Sequence, residues 1–313
     1  MTSWKNKRVL VTGGTGFIGS VLVEHLLSEG ADVRVPIRAA NYRALSKVRS
    51  KIEWVEGDLR SSDYCNELLA GVDHVFHLAS HRRNVGFHRD HCSDVLVGNV
   101  EMSTAMIRAM KEHKGTGVTF FSSANVPPII DVIALAQTEN IDGYVLGKAL
   151  CETLWLTAAR QHGFQLLIVR PVGVYGPRDT FTTDGNVIPS LMVKAQTEKV
   201  LDVWGDGKQE RAFLYVDDLV EATFRMIDAK VSGIQYVIPP DITTVGELAK
   251  HIRDIVQPKL KIKFDATKPQ GQRTIPTLPV HKSLKKMKWT GLEQGLRQTY
   301  EGWQNRKEGS AVK

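Results

Sequence analysis

The 313-residue chain is long enough to bury one large core or two smaller ones, and its composition is that of an ordinary globular protein, 42% hydrophobic and 24% charged. No apolar run approaches the roughly 20 residues of a membrane span, and the N-terminus lacks an apolar signal segment. A net charge of +7, spread along the chain with no basic arm, argues against nucleic acid and suits an anionic small molecule, while Cys65, Cys92 and Cys151 show no CxxC spacing and fit a reduced, cytoplasmic setting with no metal site.

An apolar, β-branched run, Val9-Leu10-Val11-Thr12, opens the chain and ends in Gly13-Gly14-Thr15-Gly16. Phe17, Ile18, Val21, Leu22 and Leu26 follow at helical spacing, so the stretch reads as strand, tight turn and helix. Gly13, Gly16 and Gly19 stand at G-x-x-G-x-x-G. The first allows the sharp turn, the second lets backbone amides approach a pyrophosphate, and the third lets helix pack close on strand. The phosphates of a dinucleotide would then lie on the helix N-terminus. Three glycines alone signal little; directly after a first strand and opening a helix they point to NAD(P).

Ala31 to Ile37 is a second strand, and Arg38 follows it, with Arg43 and Lys47 beyond. An acidic residue at that strand end would hold ribose hydroxyls, whereas an arginine suits a 2′-phosphate, so NADP(H) is expected over NAD(H). Ile52 to Val55 is a third strand, followed by Gly57-Asp58-Leu59, where Asp58 either accepts from an adenine amino group or serves as a turn or capping aspartate. Val72 to Leu78 is the fourth, ending in small residues over which a dinucleotide could lie, His77-Leu78-Ala79-Ser80. Residues 81 to 91 hold His81, Arg82, Arg83, His88, Arg89 and His91, read as a basic loop near phosphates or a solvated loop rather than a metal site. Asp94 to His113 is a long helix, Gly117 to Phe121 a fifth strand ending in Ser122-Ser123, Gly143 to His162 another helix and Phe164 to Val169 a sixth strand. This alternation implies a Rossmann-type, doubly wound parallel sheet.

After Arg170-Pro171 the elements shorten. Val200 to Trp204, Ala212 to Val216 and Lys261 to Phe264 read as strands, and Asp217 to Ile227, Val245 to Val256 and Leu292 to Trp303 as helices. The expected division is a dinucleotide-binding domain of 1–170 with about 212–236, and a smaller α/β substrate lobe of 171–211 and 237–313.

Tyr144 and Lys148 stand four apart, on one face of their helix. A free tyrosine, with a pKa near ~10, is a poor base at neutral pH. A neighbouring ammonium favours its phenolate, and Lys148 can supply that charge and bond a nicotinamide ribose. With Ser123 holding a substrate oxygen, Tyr144 would move a proton while hydride passes between carbon and nicotinamide.

Thr12-Gly13-Gly14-Thr15-Gly16-Phe17-Ile18-Gly19, His77-Leu78-Ala79, Asn99, Ser122-Ser123, Tyr144 with Lys148, Arg170-Pro171 and Val174-Tyr175-Gly176-Pro177 together resemble the extended short-chain dehydrogenases, the NAD(P)-dependent nucleotide-sugar epimerases, dehydratases and reductases. Within them the chain is most similar to the GDP-L-fucose synthases, GDP-4-keto-6-deoxymannose epimerase/reductases. The likeness rests on Arg38, on Val85-Gly86-Phe87, on Gly176-Pro177-Arg178-Asp179-Thr180-Phe181 before Val187-Ile188-Pro189, and on Phe264-Asp265-Ala266-Thr267-Lys268-Pro269-Gln270-Gly271. The resemblance implies Ser123, Tyr144 and Lys148 as catalytic residues. It implies Gly13, Gly16, Phe17, Ile18, Gly19, Arg38, Asp58, Leu59, Leu78, Ala79, Val172 and the Tyr144–Lys148 pair as cofactor contacts. Asn99 would steady the active-site helix, and Asn125, Asn186, Val187, Lys194, Trp204, Arg211 and Arg273 would face a nucleotide-sugar substrate. It further implies a homodimer through the helices of 94–113 and 143–162, with Val95, Val97, Met102, Met106, Leu150, Leu154 and Leu156 as the apolar candidates.

Two departures stand out. Asn125 and Asn186 occupy positions where a fucose synthase carries a cysteine and a histidine for proton shuttling at carbon, and Pro127-Pro128 replaces the usual Tyr-Gly or Tyr-Pro. Asparagine does not titrate. The expected activity is therefore NADP(H)-dependent reduction at C4 of a nucleotide-linked, GDP-type 4-keto-6-deoxy sugar without epimerisation. The alternatives are an epimerase/reductase, a 4-epimerase that returns its hydride, and a non-catalytic dinucleotide-binding regulator.

Overall fold

The computed structural model describes residues 4–40, 42–81, 85–113, 115–129, 131–138, 142–268 and 278–311. Two compact units emerge, one of residues 1–171, 220–236 and 281–285, the other of 172–219, 237–280 and 286–313. Among the described residues no helix is long and apolar enough to cross a membrane.

In the first unit β1 (Arg8–Thr12) leads through the glycine turn into α1 (Phe17–Ser28), which buries Gly19, Ser20, Val21, Leu22, Val23 and Leu26. The chain returns as β2 (Asp32–Ile37), turns through a 3-10 helix (Arg43–Lys51) and runs on as β3 (Ile52–Glu56), α2 (Ser62–Leu68) and β4 (His74–His77). Ser61 caps α2 by accepting the Tyr64 N–H. A short helix, α3 (Val85–Asp90), occupies part of the stretch expected to be a basic loop, and α4 (Cys92–Met110) follows. Then come β5 (Gly117–Phe121), α5 (Val132–Ala136), α6 (Gly143–His162) and β6 (Leu166–Pro171). Asp142 caps the start of α6, and Gly163, at φ 77°, ends it in the left-handed conformation. That turn moves the start of the sixth strand two residues beyond the expected Phe164.

The sheet runs in the order β10-β6-β5-β4-β1-β2-β3, with β10 (Gly233–Val237) beside β6. The pairs β1–β2, β2–β3, β1–β4, β4–β5 and β5–β6 are parallel. Six strands thus carry the order 3-2-1-4-5-6 of a doubly wound dinucleotide fold. β5 and β6 are buried along their whole length, as central parallel strands covered on both faces must be.

The second unit holds β7 (Gly173–Tyr175), α7 (Val187–Thr197), β8 (Val200–Trp204) and β9 (Glu210–Tyr215). The helix α8 (Val216–Asp228) leads toward β10, and then β11 (Ile242–Thr244), α9 (Val245–Val256), β12 (Lys261–Asp265) and α10 (Leu292–Ala311) complete the chain. Residues 212–219 are expected with the first unit. They lie in the second because β9 pairs with β7 in parallel and with β11 in antiparallel register. β8 and β12 form a separate parallel pair. Tyr175, Ile188, Met192, Leu201, Val203, Leu248, Ile252, Leu296 and Trp303 close this unit's core.

Two of the residues expected at a dimer face do not reach it. Val95 and Met106 are fully buried within the first unit, whereas Val97 and Leu156 are exposed.

Arg170 and Glu152 form an ion pair with both side chains buried in the first unit. Arg170, in β6, pairs with Glu152 of α6, its Nε donating to Oε1 at 2.8 Å and Nη2 to Oε2. Its Nη1 donates to the Tyr236 hydroxyl at 2.6 Å and to the carbonyls of Val126 and Pro127 at 3.2 Å each. Burial alone would lower the guanidinium's pKa, but its bonds to Glu152 and Tyr236 outweigh that and raise it. Breaking one partner of a buried pair strands the other charge, at a cost of about 3–5 kcal/mol. Glu152→Ala is expected to lose stability on that scale in urea denaturation, whereas removal of an exposed pair such as Arg297–Glu293 changes the midpoint little.

Candidate active site

The glycine turn is built so that only glycine fits its key positions. Gly13 has φ 69°, and a Cβ there would stand 2.8 Å from the backbone N of Ala79. A Cβ on Gly19 would run into the Gly13 carbonyl. The Gly16 N–H donates to Gly13 O at 2.9 Å, and Gly16 starts α1 with no side-chain cap on the first-turn amides of Phe17 and Ile18. This is a cradle of backbone donors at a helix start, with side chains excluded from its floor. It fits a dinucleotide pyrophosphate on its own geometry.

Hydrogen bonds fix the neighbouring strand end. Thr12 Oγ1 lies 3.0 Å from His77 Nδ1 and accepts the Ala79 N–H at 3.1 Å, while the Leu78 N–H donates to Thr12 O at 3.2 Å. Burial, with the Lys148 charge adding, pushes the His77 imidazole down to about 3, so it stays neutral. Asn99, buried on α4, accepts from Ser80 Oγ at 2.8 Å and from the His81 N–H at 3.0 Å, and donates to Val95 O at 2.7 Å. Its backbone carbonyl accepts from Cys151 Sγ, on α6, at 3.4 Å. Asn99 thus ties the segment after β4 to α4.

Arg38 is exposed at the end of β2, close enough to Asp58 to lower that carboxyl's pKa, although Arg60 does more. Asp58 accepts the Arg60 backbone N–H at 3.0 Å and the Arg60 guanidinium at 2.6 to 3.1 Å. These bonds make Asp58 a turn aspartate and leave its adenine contact a proposal. Leu59 follows it, partly buried against the core. The other arginine of this region, Arg34, is committed inside β2 to Leu68 O at 2.6 Å and to Glu53 at 2.9 Å.

Ser123, Tyr144 and Lys148 come from β5's end and α6. Lys148 is buried, and its Nζ donates to Phe121 O at 2.7 Å, lies 4.7 Å from the Phe120 ring centroid and 5.7 Å from that of Tyr144. Ser123 Oγ accepts the Asn125 N–H at 3.1 Å. Asp142 Oδ1 accepts the N–H groups of Tyr144 and Val145 at 2.9 and 3.3 Å. The three proposed catalytic residues and Asn125 therefore belong to the same unit as the glycine cradle.

The second unit holds most of the proposed substrate residues. Asn186 starts α7, and its Nδ2 donates to both carboxylate oxygens of the buried Asp179, at 3.3 and 3.1 Å. Val187 beside it is exposed, and Val172 enters the unit through its N–H, bonded to Val237 O at 3.3 Å. Trp204, 52% exposed, has Lys194 and Lys268 over its ring at 5.7 and 5.9 Å. Arg211 donates to Glu210 O at 2.6 Å, and burial lowers its pKa. Arg273 lies outside the described residues.

The sequence assigns no role to Asp142 or to the packing of His88, and none to Thr12 or Asp179 beyond their place in a motif. Asp142-Gly143-Tyr144 carried a readable signal, an aspartate at an N-cap position. Asp179 carried none, because its partner lies seven residues away across a loop.

Residues 9–238 match the NAD dependent epimerase/dehydratase family. A dTDP-4-dehydro-6-deoxy-D-allose reductase of Streptomyces sp is 30% identical over 285 residues, covering 86% of this chain and 87% of its own. A UDP-N-acetyl-alpha-D-glucosaminuronate decarboxylase of Bacillus cytotoxicus is 32% identical over 317 residues, covering 94% and 96%. In fold, the chain is similar to the UDP-N-acetylglucosamine 4-epimerase of Methanobrevibacter ruminantium M1 (TM-score 0.82, 24% identity, 97% and 99% covered). It is also similar to the Bordetella bronchiseptica enzyme WbmF in complex with NADH (TM-score 0.81, 21% identity, 100% and 96% covered). The reductase, decarboxylase and 4-epimerase carry dTDP or UDP in their names; the likeness to the GDP-L-fucose synthases rests on its motifs. The chain is an enzyme of the extended short-chain dehydrogenase type and belongs to the NAD dependent epimerase/dehydratase family, whose members modify nucleotide sugars.

Proposed function

We propose that this enzyme is an NADP(H)-dependent reductase acting at C4 of a nucleotide-linked 4-keto-6-deoxy sugar. The observation that carries the reading is the seating of Lys148, buried behind the Tyr144 ring and held by Phe121 O at the end of the strand that delivers Ser123. Gly13, Gly16, Phe17, Ile18 and Gly19 would hold the cofactor's phosphates, Leu78 and Ala79 its path across the strand ends, and Lys148 its ribose. When bound, the reduced cofactor supplies the hydride. The Ser123 hydroxyl donates to the ketone oxygen, and Tyr144 delivers its phenolic proton to that oxygen. The Lys148 ammonium stabilises the phenolate left behind until solvent returns the proton. The reductase relative, at 30% identity over 86% of the chain, supports this reaction class.

Asn186 and Asn125 support reduction without epimerisation. Neither titrates, and the Asn186 amide is turned toward Asp179, so neither offers a base for a carbon-bound proton. The shared GDP-L-fucose synthase stretches favour a GDP-linked sugar, the reductase relative's name a dTDP-linked one. Trp204 between two lysines, with Arg211 nearby in sequence, suits the base and diphosphate of either.

Three outcomes are expected. Incubated in heavy water with NADPH and a panel of GDP-, dTDP- and UDP-linked 4-keto-6-deoxy sugars, the protein consumes NADPH in proportion to product, and NMR finds no enzyme-dependent deuterium at C3 or C5. An enzyme that returns its hydride leaves NADPH unconsumed, and label at C3 or C5 contradicts the role given to the asparagines. Arg38→Asp weakens NADPH by about tenfold or more and NADH by less, because an arginine–phosphate pair is worth roughly 1.5–3 kcal/mol; equal losses overturn the cofactor assignment. Val97 on α4 and Leu156 on α6 are exposed apolar residues suited to a two-fold interface, so light scattering at micromolar concentration gives a dimer mass, and a monomer mass contradicts it.

A further inference from the structure

Tyr144 is also gripped by groups that neither the glycine cradle nor the Ser123–Lys148 arrangement uses. His88, on α3, is 3% exposed, and its imidazole lies nearly parallel to the Tyr144 ring, centroids 5.2 Å apart at 16°. His88 Nδ1 stands 3.5 Å from Asp142 Oδ1. That same oxygen accepts the Tyr144 backbone N–H at 2.9 Å. One carboxylate therefore joins the first turn of α6, which carries the tyrosine, to the ring that covers the tyrosine's face.

We propose that His88 is a positioning residue for Tyr144, forming with Asp142 a clamp that fixes the phenol where its proton reaches the substrate oxygen. A tyrosine has two side-chain torsions, and one reaction-competent setting of them. Lys148 approaches the ring at 5.7 Å and does not by itself fix its tilt. A flat ring stacked on the phenol does, and the Asp142 contact stops that flat ring from turning away. Aromatic pairs of this kind add about 0.5–1.5 kcal/mol beyond their buried area, enough to hold a rotamer. Burial and this pairing commit His88 to support and set it apart from His91, which stacks on Phe87 at 4.3 Å. The inference rests on the reading of Tyr144 as the proton donor.

Three variants of the full chain test it: His88→Ala, His88→Phe and, as reference, Tyr144→Phe. The first readout needs no substrate. In protein with isotope-labelled tyrosine and bound NADP, the Tyr144 ring signals are those missing from Tyr144→Phe. They are expected to be ring-current shifted in the native protein, to move toward ordinary tyrosine positions in His88→Ala, and to return in His88→Phe. The second readout is turnover of NADPH with the keto sugar. His88→Ala lowers kcat by about tenfold or more, since displacing a reacting group by about 1 Å costs up to about 10²-fold. KM for NADPH stays near native, and His88→Phe recovers most of kcat. Native kcat in His88→Ala, with Tyr144→Phe inactive, overturns the clamp and leaves the reductase reading intact. Native kcat in Tyr144→Phe overturns the reading of Tyr144 itself. His88→Phe as slow as His88→Ala overturns positioning by stacking. If no sugar in the panel is reduced, unchanged Tyr144 signals in His88→Ala overturn the clamp on their own.

Discussion

The first unit is organised by how closely the end of β1 approaches the end of β4. A Cβ at residue 13 would press on the Ala79 backbone, and one at residue 19 on the Gly13 carbonyl, so the approach exists only because both are glycine. Once the two strand ends meet, Thr12 can bond both His77 and Ala79, and the start of α1 is left with backbone donors bare of side chains. The same closeness that builds an anion cradle thus sets the height at which β4 ends. Asn99 then carries that position outward, holding Ser80 and His81 against α4.

The chemistry is placed by a second, polar layer. Arg170 is fully enclosed, yet every part of its guanidinium has a partner: Glu152 from α6, Tyr236 from β10, and the carbonyls of Val126 and Pro127. The last two belong to the segment running on from Ser123, so the ion pair also anchors that loop. Proline at 127 and 128 leaves that loop two fewer N–H groups to satisfy, and its carbonyls are taken by an arginine instead. A buried charge network is a costly way to hold a loop, and it holds only if complete.

Much of this was legible in the residues, and for physical reasons. The alternation of apolar strands and amphipathic helices implied the doubly wound sheet, and Gly13, Gly16 and Gly19 announced the turn because their spacing reflects backbone approach. The family resemblance, with its nucleotide-sugar chemistry, agrees with the match over residues 9–238. What stayed hidden depended on distant partners. His88 read as one of several loop histidines, since nothing local says that α3 will set it against Tyr144. Val95 and Met106 suited a dimer face by pattern, but a helix in a layered fold buries more than one stripe, and both turn inward. Asp58 offered two readings, and Arg60, two residues on, shows that it serves the turn. The strand expected at 212–216 was assigned with about 212–236 to the first unit; its pairing with β7 and β11 is a long-range fact.

In the proposed reaction this site delivers hydride to a sugar carbon and keeps it there. Supplying NADPH deuterated on the transferring face at nicotinamide C4, with the active keto sugar, and locating the label in the product tests this. One deuterium at C4 of the sugar, with Tyr144→Phe abolishing the transfer, is the predicted result. A product without deuterium at C4, or label transfer undiminished in Tyr144→Phe, would contradict the account.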